Sequence, residues 1–183
     1  MWCGILWCKE SSTPTRNMRN RGKASEFAEA FARTEAKLKL TVQYATGTAT
    51  HVGGVPTRPQ FRKWVKAALT RDAEIVLRIV DEAEARSLNQ NFRGKDYATN
   101  VLTFVYGDAQ PLSGDIVLCA PVVEKEARQQ HKNLTAHYAH LTAHGVLHLQ
   151  GWNHENEPDA VAMERLETAI VTKLGYDDPY KEQ

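Results

Sequence analysis

The 183-residue sequence lacks any run of about 18 apolar residues, the length that crosses a bilayer as a helix, so we expect no membrane-spanning segment. It also lacks a marked charge of either sign: 23 lysines and arginines stand against 22 acidic residues, for a formal net charge of +1. Overall basicity is therefore no argument for a nucleic-acid partner, although a local basic patch can still bind phosphates.

Cysteine is scarce, and the three residues of this type are Cys3, Cys8 and Cys119. An odd count without regular spacing predicts free thiols in a reducing compartment and excludes a disulfide framework. Cys3 and Cys8 have no second pair of cysteines or histidines with matching spacing. They are therefore not predicted to be metal ligands.

The first 37 residues differ in composition from the rest. We predict that residues 1–37 are a flexible extension and that residues 38–183 form a single domain. The apolar start is short and has neither a charged region nor a cleavage site, which disfavours a secretory signal. Residues 9–23 are polar and arginine-rich, which favours flexible chain, and a short helix capped by Ser25 is predicted to follow. An organelle transit peptide and a basic RNA-binding arm are the second and third interpretations.

The remaining chain alternates between strand and helix patterns. Apolar residues at every second position over 38–44 predict a half-buried strand, and helical spacing of apolar residues predicts a helix with Phe61, Trp64, Val65 and Ala68 inward. A second helix is predicted to bury Ala83, Leu88 and Phe92. A short linker between two strand patterns predicts an antiparallel hairpin over 101–120. Gly175 is predicted to end the last helix. The predicted order is β-α-β-α-β-β-α-α-α. It indicates an α+β domain, a small mixed β-sheet covered by helices, with a metal-binding helix-turn near the C-terminus.

Three histidines near the C-terminus have the spacing of metal ligands. His144 and His148 lie four apart on a predicted helix, which places both imidazoles on one face, one turn apart. Gly151 then allows a turn, so that His154 can return as a third ligand. Three protein nitrogens with an open fourth position are typical of a catalytic zinc site. The alternative is a set of solvated histidines on a surface helix.

The other histidines are assigned different roles. His137 and His140 continue the same stripe, but one helix cannot bring His140, His144 and His148 to one ion, because the outer two lie about two turns apart. We therefore interpret His137 and His140 as substrate contacts or as partners that orient the ligands. His51 and His131 are interpreted as ordinary loop or surface residues.

Gly145 occupies the position where a zinc protease has its glutamate base. A helical glycine costs about 1 kcal/mol relative to alanine, and close packing of another backbone at this point is one plausible offset. Without the glutamate, water activation depends on the metal or on a base elsewhere. This favours a phosphodiester over a peptide as substrate, because charged phosphate oxygens can bind the metal directly.

A phosphate substrate needs positive charge beside the metal. Arg93 and Lys95 lie in a loop before a predicted strand, and arginine can bind a phosphate with two hydrogen bonds. From spacing alone, Arg93 is equally well explained as a solvated charge or as a partner of Asp96. The cations of an earlier helix can follow an RNA backbone or simply form a solvated face; they are Arg58, Arg62, Lys63 and Lys66.

Two motifs resemble a known family. "HGVLHLQGWNH" (144–154) and "FRGKDYATNVLTF" (92–104) closely resemble the two signatures of the YbeY family of bacterial rRNA maturation factors. "GDIVLCAPVVEKEA" and "LGYDDPY" are also similar to family sequence, so the resemblance covers roughly residues 38 to 180. This chain departs from the usual pattern at Asn153, where the family has aspartate, at Trp152, where it has tyrosine, and at Thr103, where it has serine.

The resemblance implies a cytoplasmic, zinc-dependent endoribonuclease specific for single-stranded RNA. It implies action on the 3′ end of small-subunit rRNA and in ribosome quality control, with the small ribosomal subunit and its associated proteins as partners. Carried over by position, His144, His148 and His154 hold one Zn²⁺ ion, His144 and Arg93 are catalytic, and Arg93 contacts the phosphate. The rival hypothesis is a ribosome-assembly or RNA-binding factor with a mainly structural zinc. A metalloprotease comes third.

Overall fold

The computed structural model of the protein describes residues 36–45, 54–107 and 110–181. The strands are β1 (Leu38–Tyr44), β2 (Ala73–Val80), β3 (Val101–Val105) and β4 (Leu112–Cys119). They form one mixed sheet in the order β1-β2-β4-β3, with β1, β2 and β4 parallel and β3 antiparallel to β4. The predicted hairpin and the predicted α+β class are confirmed. The predictions for Cys3, Cys8, His51 and the helix at Ser25 fall outside the described residues.

Five helices cover this sheet: α1 (Arg58–Ala68), α2 (Glu82–Arg93), α3 (Ala120–Gln129), α4 (Leu134–Leu149) and α5 (Glu157–Lys173). Three of them begin at a side-chain cap, in which Asp81, Asn133 or Asn156 accepts a hydrogen bond from the backbone N–H three residues later. Gly175 follows α5 with φ +91°, which confirms the predicted end of that helix. Among the described residues, none of these helices combines the length and the apolar character that a membrane crossing requires.

The larger core lies between one face of the sheet and helices α1 and α4. It includes the four residues predicted to face inward from α1: Phe61, Trp64, Val65 and Ala68. Helix α4 is enclosed by its neighbours, since twelve of its sixteen residues are buried. Within it, His137, His140 and His144 are only 4, 5 and 3% exposed. The alternative of solvated histidines on a surface helix therefore fails for His144, the first of the three histidines at ligand spacing.

A smaller core covers the opposite face of the sheet, and here one sequence prediction is wrong. Leu88 packs against this core as predicted, but α2 buries Ala85 and Asn89 beside it, whereas Ala83 is exposed and Phe92 is 64% exposed. The C-terminal end of α2 lies beside the edge strand β3, where the Phe92 ring packs against the partly buried Phe104 and keeps its other side exposed. Cys119 closes this core as a free thiol, as predicted, and its burial raises the pKa of the thiol to about 11.

Gly145 faces the sheet. An alanine Cβ at this position would lie 3.0 Å from Cγ2 and 3.2 Å from Cδ1 of Ile116. The prediction that another backbone packs here is wrong, because the close neighbour is this buried side chain on β4. The side chain of a glutamate at position 145 would point toward the core. Its carboxylate could therefore not act as a base beside the histidines.

The missing side chain of Gly114 lets β4 pack closely against strand β3 and the end of helix α4. A Cβ at this position would lie 2.5 Å from the carbonyl oxygen of Phe104 and 2.6 Å from Cδ2 of Leu149. We expect Gly114→Ala to lower the free energy of unfolding by about 1–3 kcal/mol, because a strand carbonyl or a core leucine must move. Urea unfolding measures this change, with the adjacent Ser113→Ala as control. Equal stability of the two variants would contradict the close contact.

Candidate metal centre

Three imidazoles converge where α4 ends. One ring nitrogen from each of His144, His148 and His154 lies within 4.8 Å of the other two. The first two lie on successive turns of α4. Gly151 then adopts φ +83°, and its N–H donates to the carbonyl of His148 at 2.9 Å. The left-handed residue reverses the chain, which brings His154 back to the helix as the spacing predicted.

A buried carboxylate orients the first imidazole. Glu167 of α5 is 1% exposed, and its Oε1 lies 2.6 Å from Nδ1 of His144. Because an ionised carboxylate only accepts hydrogen bonds, Nδ1 of His144 carries the proton and Nε2 keeps its lone pair. This carboxylate–imidazole arrangement is the one that usually supports a metal-bound histidine.

The second imidazole is oriented by the backbone. Nδ1 of His148 lies 2.9 Å from the carbonyl oxygen of Trp152, which can only accept. Both histidines therefore present Nε2 lone pairs, and these two atoms face each other at 2.9 Å. Facing lone pairs repel unless a cation lies between them. Nitrogens bound to one tetrahedral zinc ion stand roughly 3.4 Å apart, so the donor set fits a metal ion with a small adjustment.

The charge states suit a cation. Burial and the neighbouring His144 and His154 lower the pKa of His148 to about 3, and burial together with His144 also lowers the pKa of His154. Both imidazoles are therefore neutral at pH 7, as metal ligands must be. Burial alone would raise the pKa of Glu167, but its interactions with His144 and His140 outweigh burial, so the pKa is lowered and the carboxylate stays ionised.

A cleft of about 540 Å³ opens beside the histidines. Nε2 of His140 lies 2.8 Å from Oε2 of Glu167, and the Tyr180 hydroxyl donates to the same oxygen. Described residues of α3, α4, α5, their connecting turns and the C-terminal segment line it: Glu126, Gln130, Lys132, His137, His140, Leu141, His144, His154, Ala160, Met163, Glu164, Glu167 and Tyr180, together with Asn100. Two of the three convergent histidines, His144 and His154, thus line a recess.

A second polar cluster, distinct from the three convergent histidines, lies in the same cleft. Nδ2 of Asn100 donates to both oxygens of Glu126, at 3.2 and 3.0 Å, and Nε2 of His137 lies 3.0 Å from Oε2. His137 and His140 thus each pair with a carboxylate. For His140 the shared Glu167 links it to His144, which agrees with its interpretation as a partner of a ligand.

The remaining predicted residues lie on several different elements. Arg93 is the last residue of α2, half-buried, and is not among the described residues that line the cleft. Asp96 forms a two-bond ion pair with Arg86, at 2.7 and 2.8 Å. Asn153 is half-buried directly before His154. Arg58 and Arg62 of α1 donate to carbonyls of β1, a contact that stabilises an edge strand.

Glu167 is the principal residue that sequence reasoning missed. Its signal was present, because it shares one face of α5 with the apolar Met163, Ile170 and Val171 at helical spacing. A carboxylate in an apolar stripe demands a buried partner. Tyr180 and Glu126 carried no such signal, since both lie among polar neighbours in the sequence.

Comparison with known proteins identifies the family. A family model described as "Endoribonuclease YbeY" matches residues 54–175. A protein named "Endoribonuclease YbeY" from Nitrosospira multiformis is 62% identical to this chain, and the match covers 79% of this chain and 82% of the relative. A protein of the same name from Nitrosomonas europaea is 58% identical, and the match covers 91% of this chain and 97% of that relative. A solution structure of TM1509 from Thermotoga maritima is 24% identical, with a TM-score of 0.47, over 78% of this chain and 99% of that one. The matched residues include both motifs and all three convergent histidines, and the chain belongs to the YbeY endoribonuclease family.

Proposed function

We propose that this protein is a metal-dependent endoribonuclease that hydrolyses phosphodiester bonds of single-stranded RNA. The observation that carries the proposal is the convergence of His144, His148 and His154 beside a cleft, with Nε2 lone pairs of the first two facing each other. The relatives' name, endoribonuclease, supplies the substrate class.

The three histidines would hold one Zn²⁺ ion. Neutral imidazole nitrogens suit zinc, and three protein ligands leave a coordination position for water or substrate. A zinc ion held there supplies Lewis acidity and lowers the pKa of water to about 7. The protein's own residues fix the tautomers: Glu167 and the Trp152 carbonyl hold the Nδ1 protons of His144 and His148, so the free lone pairs point inward.

Arg93 would bind the scissile phosphate. A guanidinium offers two parallel hydrogen bonds to phosphate oxygens and stabilises the charge that develops on them during hydrolysis. This role requires the side chain at the end of α2 to reach the phosphate from the edge of the sheet, beside β3. Resemblance to the family's second motif supports it.

Glu167→Gln tests how the metal is held. We expect zinc affinity to fall about 10- to 100-fold, because the amide keeps the size of the side chain but weakens the hold on His144. Competition with a chromophoric chelator measures the affinity. Glu126→Gln is the matched control, since that carboxylate pairs with Asn100 and His137 instead of a proposed ligand. Equal affinities in the two variants would contradict the orienting role.

A finer assignment follows from the motif resemblance. We infer that the RNA substrate in the cell is small-subunit rRNA near its 3′ end, that the protein acts in the cytoplasm, and that the small ribosomal subunit and its proteins are partners. The experiment is to compare 3′ ends of small-subunit rRNA in cells with and without the gene. Fully matured ends in its absence would overturn this assignment.

One set of assays separates the proposal from its rivals. Purified protein is analysed for bound metal and then offered single-stranded RNA, duplex RNA and an unfolded protein. We expect one zinc ion per chain and cutting of single-stranded RNA only. Zinc-loaded protein that binds ribosomal subunits but cuts no RNA would favour the assembly factor. Cutting of the unfolded protein would favour a protease, which the core-facing Gly145 argues against.

A further inference from the structure

Exposed apolar side chains are concentrated on one part of the surface. Among the described residues, six large hydrophobic side chains are exposed: Phe92, Tyr97, Val105, Tyr106, Val161 and Tyr180. Four of the six lie between residues 92 and 106, at the end of α2, in the following loop and at the end of β3. Phe92 is 64% exposed and Tyr106 is 56% exposed. Scattered apolar residues need no explanation, but a cluster on a single segment indicates a binding surface.

Three aromatic rings of this segment lie on the same face of the sheet. The ring centroids of Phe92 and Phe104 are 5.0 Å apart. The Tyr106 hydroxyl donates to Oδ2 of Asp115 at 2.6 Å, and Asp115 is the register partner of Phe104, so both side chains occupy one face. We call Phe92, Phe104 and Tyr106 the aromatic patch. Its rings are held in place before any ligand binds, which lowers the entropic cost of binding.

The aromatic patch lies at the same end of the sheet as the metal centre. The carbonyl of Phe104 and Cδ2 of Leu149 both lie within 2.6 Å of the position that a Gly114 side chain would take. Leu149 directly follows His148, so the end of β3 contacts the turn of α4 that carries the proposed ligands. β3 is an edge strand, and Asn100, immediately before it, lines the cleft. The aromatic patch lies on the face of the sheet that carries α2, opposite α4, so a chain that leaves the cleft would reach it by crossing the edge of β3.

Local charge favours an anionic occupant. Arg93 and Lys95 follow Phe92 directly, and the nearby carboxylate of Asp96 is neutralised by its ion pair with Arg86. Asp115 is engaged by the Tyr106 hydroxyl. Exposed aromatic rings beside cations are the combination that binds single-stranded nucleic acid, because rings stack on bases while cations contact phosphates.

We propose that the aromatic patch stacks unpaired bases of the RNA strand whose backbone passes the metal centre. This inference rests on the proposed function and adds the part of the substrate that the patch recognises. It also gives a physical reason for single-strand preference, because the bases of a duplex are already stacked on each other and cannot lie flat on protein rings.

The test measures RNA affinity in the absence of cleavage. The full chain carrying His154→Ala is titrated with a fluorescent single-stranded RNA and with an abasic strand of equal length. Adding Phe92→Leu and Tyr106→Leu keeps the surface apolar but removes two rings. We expect affinity for the base-bearing RNA to fall roughly 5- to 150-fold per lost stacking ring and affinity for the abasic strand to stay unchanged. Phe92→Tyr and Tyr106→Phe should retain affinity, and Val161→Ala on α5 is the control for an exposed apolar truncation.

Three outcomes would overturn the inference. The first is unchanged RNA affinity when the two leucine substitutions are added. The second is an equal loss of affinity for the base-bearing and the abasic strand. The third is equal affinity of the His154→Ala chain for the two strands. Retained affinity with leucines would indicate an apolar surface for a protein partner. Cleavage is measured separately on the unaltered chain. Failure to cut RNA while base-dependent binding persists would reject the proposed nuclease function and leave the stacking surface standing.

Discussion

Replacing His144 with alanine is expected to abolish stoichiometric zinc binding and to lower RNA cleavage by roughly 10³-fold or more, because both Lewis acidity and water activation depend on the bound ion. The imidazole is 3% exposed, and its Nδ1 lies 2.6 Å from Oε1 of the buried Glu167. Its loss therefore removes a ligand and leaves a charged carboxylate with one fewer partner. Metal content and single-turnover cleavage rates measure the effect.

Two further variants separate metal loss from damage to the fold. His154→Ala removes a half-buried ligand that follows the turn at Gly151, and it leaves the bond between His144 and Glu167 in place. We expect the same loss of zinc and activity with a smaller change in melting temperature. His131→Asn is the matched control, because His131 is exposed with φ +54°, a conformation that asparagine tolerates. Full zinc content and full activity in His154→Ala would contradict the three-histidine site.

Replacing Arg93 with alanine is expected to lower kcat for RNA cleavage about 10²- to 10³-fold, the usual effect of removing one donor that stabilises transition-state charge. Zinc content should not change, because Arg93 lies on α2 and the three histidines lie on α4 and the turn after it. Arg93→Lys should recover only part of the rate, since an ammonium cannot give the two parallel hydrogen bonds of a guanidinium.

The control for Arg93 is another arginine near the end of a helix. Arg128 of α3 has a side chain that is 73% exposed and pairs with Glu124 at 3.2 Å. Its replacement by alanine changes the net charge equally and should leave kcat near that of the unaltered protein. If Arg93→Ala and Arg128→Ala cut RNA at the same rate, Arg93 is a general surface charge and its phosphate role is wrong.

The centre extends beyond the ligands themselves. His140, Glu167 and His144 form a continuous buried chain, joined by bonds of 2.8 and 2.6 Å. The negative charge of Glu167 is separated from Nε2 of His144 by the imidazole ring. A carboxylate in this place would stabilise a cation bound to Nε2 and raise the basicity of that nitrogen. Because His144 and His140 lower the pKa of Glu167, its carboxylate stays ionised at mildly acidic pH, so loss of metal on acidification should come from protonation of the imidazoles.

Local patterns in the sequence were sufficient for the elements and for the histidine spacing. Alternation over 38–44, helical spacing from Phe61 to Ala68 and the glycines at 151 and 175 each predict a structure that the fold contains. These features depend on interactions within a few residues, which sequence order states directly. Phe92 shows where local patterns fail. Helical spacing predicted that its side chain faces inward, but it packs beside the edge strand β3, against Phe104, and stays 64% exposed.

The sequence by itself determined the α+β order, the three histidines at ligand spacing, the absence of a glutamate at position 145 and, through two motifs, the family. Only the tertiary structure decided what surrounds them. It brought Glu167, 23 residues away along the chain, to His144, and it turned Gly145 toward Ile116. It also gathered Phe92, Phe104 and Tyr106 on one surface. These contacts join different helices and strands, and their partners follow from packing of whole elements, which periodicity along the chain does not encode.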